Sequence, residues 1–262
     1  MNRIEKKFNE LKNQGKKALI TYVTCGDGGY EATETAVFEM ERAGADIIEL
    51  GVPFSDPIAE GPVIQAASIR ALSGGATLAG IFDMIKRIRE KTDIPLVLML
   101  YLNSIFGFGT ERFFEICGEI GIDGVIVPDM PYEEKEEIQP FADNHNIISI
   151  SLVTPTSKDR IQKIASSAKG FVYCVSSTGV TGMRSSFHTD FSRFISDIRK
   201  YTDKPCAIGF GISNAQQAYE IKQYCDGVIV GSAVVDIIGE NSKNCAKPVY
   251  EFTSSLRKAL DE

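Results

Sequence analysis

Short apolar runs rich in β-branched residues recur along the chain, near residues 18–24, 46–51, 95–101, 124–128, 147–153, 171–176, 205–210 and 227–231. Each run is close to continuously hydrophobic, the pattern of a strand buried on both faces. Between them, apolar residues fall at helical spacing over 30–43, 77–91, 110–120, 133–144, 157–167, 189–201 and 214–224. Strands alternating with helices imply a parallel sheet with right-handed crossovers. The start, Met1-Asn2-Arg3-Ile4-Glu5-Lys6-Lys7-Phe8, reads as a charged amphipathic helix ahead of the first strand, not as a targeting segment.

An echo at half the chain sharpens the architecture. Ile88-Arg89-Glu90-Lys91-Thr92-Asp93-Ile94-Pro95 leads into the third strand, and Ile198-Arg199-Lys200-Tyr201-Thr202-Asp203-Lys204-Pro205 into the seventh. Asp123-Gly124-Val125-Ile126-Val127 and Asp226-Gly227-Val228-Ile229-Val230 repeat the same five letters in the fourth and eighth strands. Two half-barrels joined in tandem give this period, and so do similar βα units that share turn chemistry. Either way the units are equivalent. The expectation is an α/β fold, a (β/α)8 TIM barrel with an extra N-terminal helix, forming a single domain over 1–262.

Composition then removes whole classes of function. The 262 residues are 44% hydrophobic and 24% charged, enough to bury a sizeable core. A net charge of −7 argues against a nucleic-acid surface or a polybasic membrane anchor. No apolar run is long enough to span a bilayer. Six scattered cysteines without a CxxC pair, together with no signal peptide, point to reduced, buried thiols and a cytoplasmic setting. The two histidines are far apart and no metal-ligand spacing appears, so no metal is expected.

Barrel chemistry sits at the C-terminal ends of the strands. There Glu49 interrupts the apolar run Ile47-Ile48-Glu49-Leu50-Gly51-Val52, and a loop stiffened by Pro and Gly adds Asp56 and Glu60. A buried strand rarely keeps an unpaired acid, because the charged form loses its hydration. The combination suggests proton transfer. Farther on, Gly209-Phe210-Gly211-Ile212-Ser213-Asn214 and Gly231-Ser232-Ala233 end the last two strands. Glycines and helix N-termini there suit a phosphate, and equally suit tight turns with Ser/Asn caps. Ser176 to Ser186 carries two glycines and many hydroxyls, as a closing loop or an ordinary connection would.

These pieces bring a known family into view. Glu49-Leu50-Gly51-Val52-Pro53-Phe54-Ser55-Asp56-Pro57, Gly61-Pro62-Val63-Ile64-Gln65, Gly179-Val180-Thr181-Gly182, Gly209-Phe210-Gly211-Ile212, Gly231-Ser232-Ala233 and the early Thr24-Cys25-Gly26-Asp27 resemble, in order, the tryptophan synthase α subunit. The first segment is highly specific; the last two alone are not. The resemblance implies retro-aldol cleavage of indole-3-glycerol phosphate to indole and glyceraldehyde 3-phosphate. It implies Glu49 as the proton shuttle, Glu60 at the indole N–H and Tyr173 beside the glycerol. Tyr22, Met99, Tyr101, Ile126 and Leu152 would line the indole pocket, although plain barrel core explains them too. Gly182, Phe210, Gly211, Gly231 and Ser232 would hold the phosphate, with Thr181 on the lid.

The same resemblance implies a β-subunit partner in an α2β2 assembly that channels indole. Pro53, Phe54, Ser55, Asp56 and Pro57 would form the contact loop. Pyridoxal phosphate would belong to the partner, and no cofactor to this chain. One departure bears on activity: the family's usual acid at position 60 is Asp, and this chain has Glu60. A smaller one is Gly28 in place of the usual Pro, which affects loop stiffness. Other readings are a stand-alone lyase that releases indole, a non-catalytic regulatory subunit in which Glu60 marks decay, and another phosphate-binding barrel.

Overall fold

The computed structural model describes residues 1–175, 190–209 and 211–262. Among these residues, nine parallel strand segments form one sheet: β1 Ala18–Thr24, β2 Ile47–Gly51, β3 Leu96–Met99, β4 Gly124–Ile126, β5 Ile148–Ser149, β6 Ser151–Val153, β7 Val172–Val175, β8 Cys206–Gly209 and β9 Gly227–Val230. Their order is β5-β4-β3-β2-β1-β9-β8-β7-β6. The two ends of that order are consecutive pieces of one run, so the sheet closes through the chain at Ile150. Nine segments therefore fill eight barrel positions, as the alternation predicts.

The helices are α1 Arg3–Asn13, α2 Tyr30–Arg42, α3 Pro62–Ser73, α4 Leu78–Arg89, α5 Leu102–Phe108, α6 Thr110–Glu119, α7 Gln139–Asn144, α8 Ile161–Ser166, α9 Phe191–Arg199, α10 Ala215–Ile221, α11 Ser232–Asn241 and α12 Ala246–Asp261. Local chemistry sets several of their starts. The side chains of Asn2, Thr77, Asp190 and Asn214 each accept a backbone N–H from the first turn that follows. The helix expected over 133–144 is instead a 3₁₀ turn, Tyr132–Glu137, followed by α7. Pro140, which lacks an N–H, tolerates only the first turn of a helix, so the α-helix starts afresh beside it.

Strand parity divides the core. Outward residues such as Leu19, Val23, Ile48, Leu50, Leu96 and Leu98 pack under the helices in one large cluster. Inward residues such as Ile20, Ile47, Val97, Ile126, Ile150, Ala207 and Ile229 fill the barrel. Ile4, Phe8 and Leu11 of α1 join this second cluster and close one end of the barrel. Asn2 fixes that plug by donating to the carbonyls of Asp123 and Asn146, both at 2.8 Å.

The half-chain echo has a structural counterpart. The Asp123 carboxylate accepts the N–H of Leu96 at 2.9 Å and the Arg89 guanidinium at 2.7 Å. Asp226 accepts the N–H of Cys206 at 2.9 Å and Arg199 at 3.0 Å. Asp46 makes a third version, with Leu19 N–H at 2.9 Å, but its arginine is Arg257 of α12. An aspartate tying the preceding strand is thus common to three units. The arginine from the helix before that strand is shared only by the two that echo. No helix among the described residues is long and apolar enough to cross a membrane.

Candidate active site

Parity places Glu49 inside the barrel: its neighbours Ile48 and Leu50 face the helices. In register it lies between Tyr22 of β1 and Val97 of β3. It is 1% exposed, and its Oε1 has no hydrogen-bond partner among the described residues. Burial alone pushes its carboxyl up to about 8. The neutral acid is therefore the main form at neutral pH, ready to give up a proton.

Two phenols flank it. Tyr22 and Tyr173 are buried, and both are held protonated, first by burial and then by the nearby acids. Glycines make room for both rings. A Cβ on Gly51 would lie 1.9 Å from the Tyr22 hydroxyl oxygen, and one on Gly209 would lie 2.7 Å from that of Tyr173. The glycine two residues after Glu49 is thus a steric requirement of the site.

The loop after β2 brings in the second acid. Glu60 is half-buried, and Tyr101 donates its hydroxyl proton to Glu60 Oε2. Desolvation raises the Glu60 carboxyl, and the Tyr101 hydrogen bond opposes that rise. The same phenol oxygen accepts the N–H groups of Ile58 at 2.9 Å and Ala59 at 3.0 Å. Gln65 of α3 holds the Glu60 carbonyl at 2.8 Å. Position 60 is thus fixed from both sides.

On the neighbouring wall, next to β1 in the sheet order, Gly231 and Ser232 start the ten-residue α11, and Gly211 adopts a positive φ of 94° just beyond β8. The free N–H groups of a helix start and glycine backbone without side chains suit an anion.

A pocket of about 630 Å³, open mouth included, joins these parts. Glu49, Glu60, Tyr22, Tyr173, Met99, Leu152, Gly211, Gly231 and Ser232 line it. Two expected lining residues sit elsewhere. Ile126 is wholly buried in the barrel interior, and Tyr101 stands outside the lining, behind the loop that carries Glu60. Ala59, Ile64, Pro128, Ile212 and Ile229 line the pocket without having been singled out. Ile229 has the inward parity of its strand, a signal readable in advance; Ile64 comes from α3, which no run of alternating elements announces.

Of the expected contact loop, Ser55 and Asp56 are exposed, Pro53 is buried, and Phe54 stacks on Tyr101 with ring centroids 4.8 Å apart. Ile58, 73% exposed, is an apolar side chain at the same surface that sequence reasoning passed over. The Ser176 to Ser186 loop, with Thr181 and Gly182, and Phe210 lie outside the described residues. No group of three or more His, Cys, Asp or Glu among the described residues is placed to hold a metal ion.

The chain as a whole is similar to known proteins. A family model described as tryptophan synthase alpha chain matches residues 8–261. A tryptophan synthase alpha chain from Caldanaerobacter subterraneus subsp. tengcongensis is 49% identical over 99% of this chain and all of its own length. The crystal structure of tryptophan synthase subunit alpha from Legionella pneumophila superposes with a TM-score of 0.89 at 34% identity, over 100% of this chain and 99% of that one. A chain from the tryptophan synthase a2b2 complex of Pyrococcus furiosus gives 0.85 at 33% identity, over 92% and 98%. With the carboxylates, the phenols and the glycine-lined wall in the order that the motifs require, this chain belongs to the tryptophan synthase alpha chain family.

Proposed function

We propose that two carboxylates in different surroundings divide the work of the family's lyase reaction, the cleavage of indole-3-glycerol phosphate to indole and glyceraldehyde 3-phosphate. The carrying observation is Glu49, buried and protonated up to about pH 8. It donates its proton to carbon 3 of the indole, which leaves positive charge on the ring nitrogen. Glu60, less buried and hydrogen-bonded by Tyr101, carries negative charge to meet that nitrogen's N–H. The bond from carbon 3 to the glycerol chain then breaks, and its electron pair restores the indole. The adjacent glycerol hydroxyl returns a proton to the Glu49 carboxylate as its carbon becomes the aldehyde, and the acid is regenerated. Tyr173 supports the glycerol portion. Gly211, Gly231 and Ser232 hold the phosphate, with Gly182 and Phe210 completing the cradle and Thr181 on the lid.

A tryptophan synthase alpha chain implies a beta-subunit partner. We place the contact at Pro53, Phe54, Ser55, Asp56 and Pro57, in an α2β2 assembly that passes indole to a pyridoxal-phosphate site in the partner. The exposure of Asp56 and Ile58 on the segment that leads into Glu60 supports this placement.

Indole release from indole-3-glycerol phosphate, with and without the β subunit, tests the reading. Glu49→Gln is expected to lower turnover by at least ~1000-fold while binding of glycerol 3-phosphate persists. Retention of a tenth of the activity would show that the proton travels by another route.

A further inference from the structure

Among the described residues, Tyr101 reaches more of the segment from Val52 to Gly61 than its place outside the pocket suggests. It follows β3 and stands at the start of α5. Its ring stacks on Phe54, and its oxygen meets the N–H groups of Ile58 and Ala59 and the carboxylate of Glu60. A phenol has two lone pairs and one proton. The two backbone N–H groups occupy the lone pairs, so the proton has one direction left, toward Glu60. A donor fixed in this way favours the ionised carboxylate.

Side-chain length enters here. Relative to aspartate, Glu60 carries its carboxylate one carbon–carbon bond farther, about 1.5 Å. An aspartate on the same backbone would fall short of the hydroxyl by most of that bond, and a gap of this size removes a hydrogen bond. We propose that Tyr101 is the positioning residue for Glu60, and that glutamate at position 60 is matched to the reach of that hydroxyl. On this view the longer acid is a seated part of the site and not a mark of decay. The other titratable groups that face Glu60 among the described residues are Tyr22 from β1 and Asp129 from the loop after β4. Asp129 is itself tied to the N–H of Leu102 at 3.0 Å. Its charge opposes ionisation of Glu60, and this makes the Tyr101 donor matter more.

The proposal rests on the lyase reading above. A double-mutant cycle over Tyr101→Phe and Glu60→Asp, with kcat and KM for indole-3-glycerol phosphate measured from pH 5 to 9, tests it. The phenylalanine keeps the stack on Phe54, and thermal unfolding checks that each variant folds. In the wild-type background, Tyr101→Phe should lower kcat about tenfold, change KM less than twofold and move the acid limb upward by at least half a pH unit. In the Glu60→Asp background the same change should cost less than twofold and leave the limb in place. Equal losses in both backgrounds with an unmoved limb would reduce Tyr101 to packing. A Glu60→Asp variant faster than wild type would refute the length match. If no protein in the set cleaves substrate, the lyase reading fails, and a second measurement still decides this proposal. The carboxyl ¹³C resonance of Glu60, assigned with Glu60→Gln, should titrate at higher pH in Tyr101→Phe, and an unchanged midpoint would overturn it.

Discussion

Burial of an acid without a partner has a thermodynamic signature apart from catalysis. Glu49 keeps its proton in the folded protein up to about pH 8, against an ordinary value of 4.5. The unfolded chain releases that proton near 4.5, so between the two values the native state binds more protons than the unfolded one. Stability must then fall as pH rises, by about 5 kcal/mol over the whole interval if nothing relaxes. Glu49→Gln removes the titration. The buried amide costs about 1–3 kcal/mol of its own, but this cost does not depend on pH. The variant should therefore gain on wild type by about 3 kcal/mol between pH 5 and pH 8, whatever its stability at pH 5. Urea titrations followed by circular dichroism, run in parallel across that range, read the difference directly. All other titrating groups are common to both proteins and cancel. A difference flat to within about 0.5 kcal/mol would show that Glu49 ionises freely in the native state, and the case for a protonated general acid would fall with it.

Three further outcomes follow from particular contacts. Gly51→Ala puts a methyl 1.9 Å from the Tyr22 hydroxyl oxygen; it should cost about 1–3 kcal/mol in unfolding experiments and at least ~100-fold in cleavage through displacement of that ring. Arg89→Ala strips a largely buried donor from Asp123, which keeps Arg3 at 3.0 Å, and from the Gly121 carbonyl, and should cost about 1–3 kcal/mol, whereas Arg199→Ala at the echoed but exposed pair should cost under about 1 kcal/mol; a larger loss at Arg199 in urea melts would contradict the difference in burial. Phe8→Ala empties a site where the ring lies 5.4 Å from Phe171 at the barrel's closed end; a loss of about 3–5 kcal/mol is expected, and a loss under 1 kcal/mol would mean that α1 is not part of the core.

Much of the fold is legible because its signals are local. Continuous apolar runs separated by helical spacing locate all eight barrel positions, with boundaries off by one or two residues. Pro95 and Pro128 explain part of that offset: neither has an N–H to donate to a ladder. The 3₁₀ turn before α7 was missed because its acidic sequence, Tyr132–Glu137, carries helical periodicity without enough apolar residues to anchor an α-helix. The site is legible to a different degree. Glu49 stands out as a charge in an apolar run, and the glycines of the last two units point to an anion. The family resemblance implies Tyr101 as pocket lining, and the structure sets it outside the lining. That its hydroxyl turns to the loop depends on Ile58, Ala59 and Glu60 folding back over it, which no spacing in the sequence reports.

The sequence by itself determined that this chain is a barrel of eight βα units, that an acid ends its second strand, and which family shares its motifs. These properties rest on hydrophobic periodicity, turn residues and side-chain identity, all written within a few positions of one another. Tertiary structure alone decided that burial raises the Glu49 carboxyl, that a phenol from another loop donates to Glu60, and that α1 closes the barrel. The reason is that desolvation and hydrogen bonding depend on distance through space. Glu49 changes its proton affinity because the barrel excludes water around it, and the rise that desolvation imposes on Glu60 is opposed because residue 101, 41 positions along the chain, is folded against it.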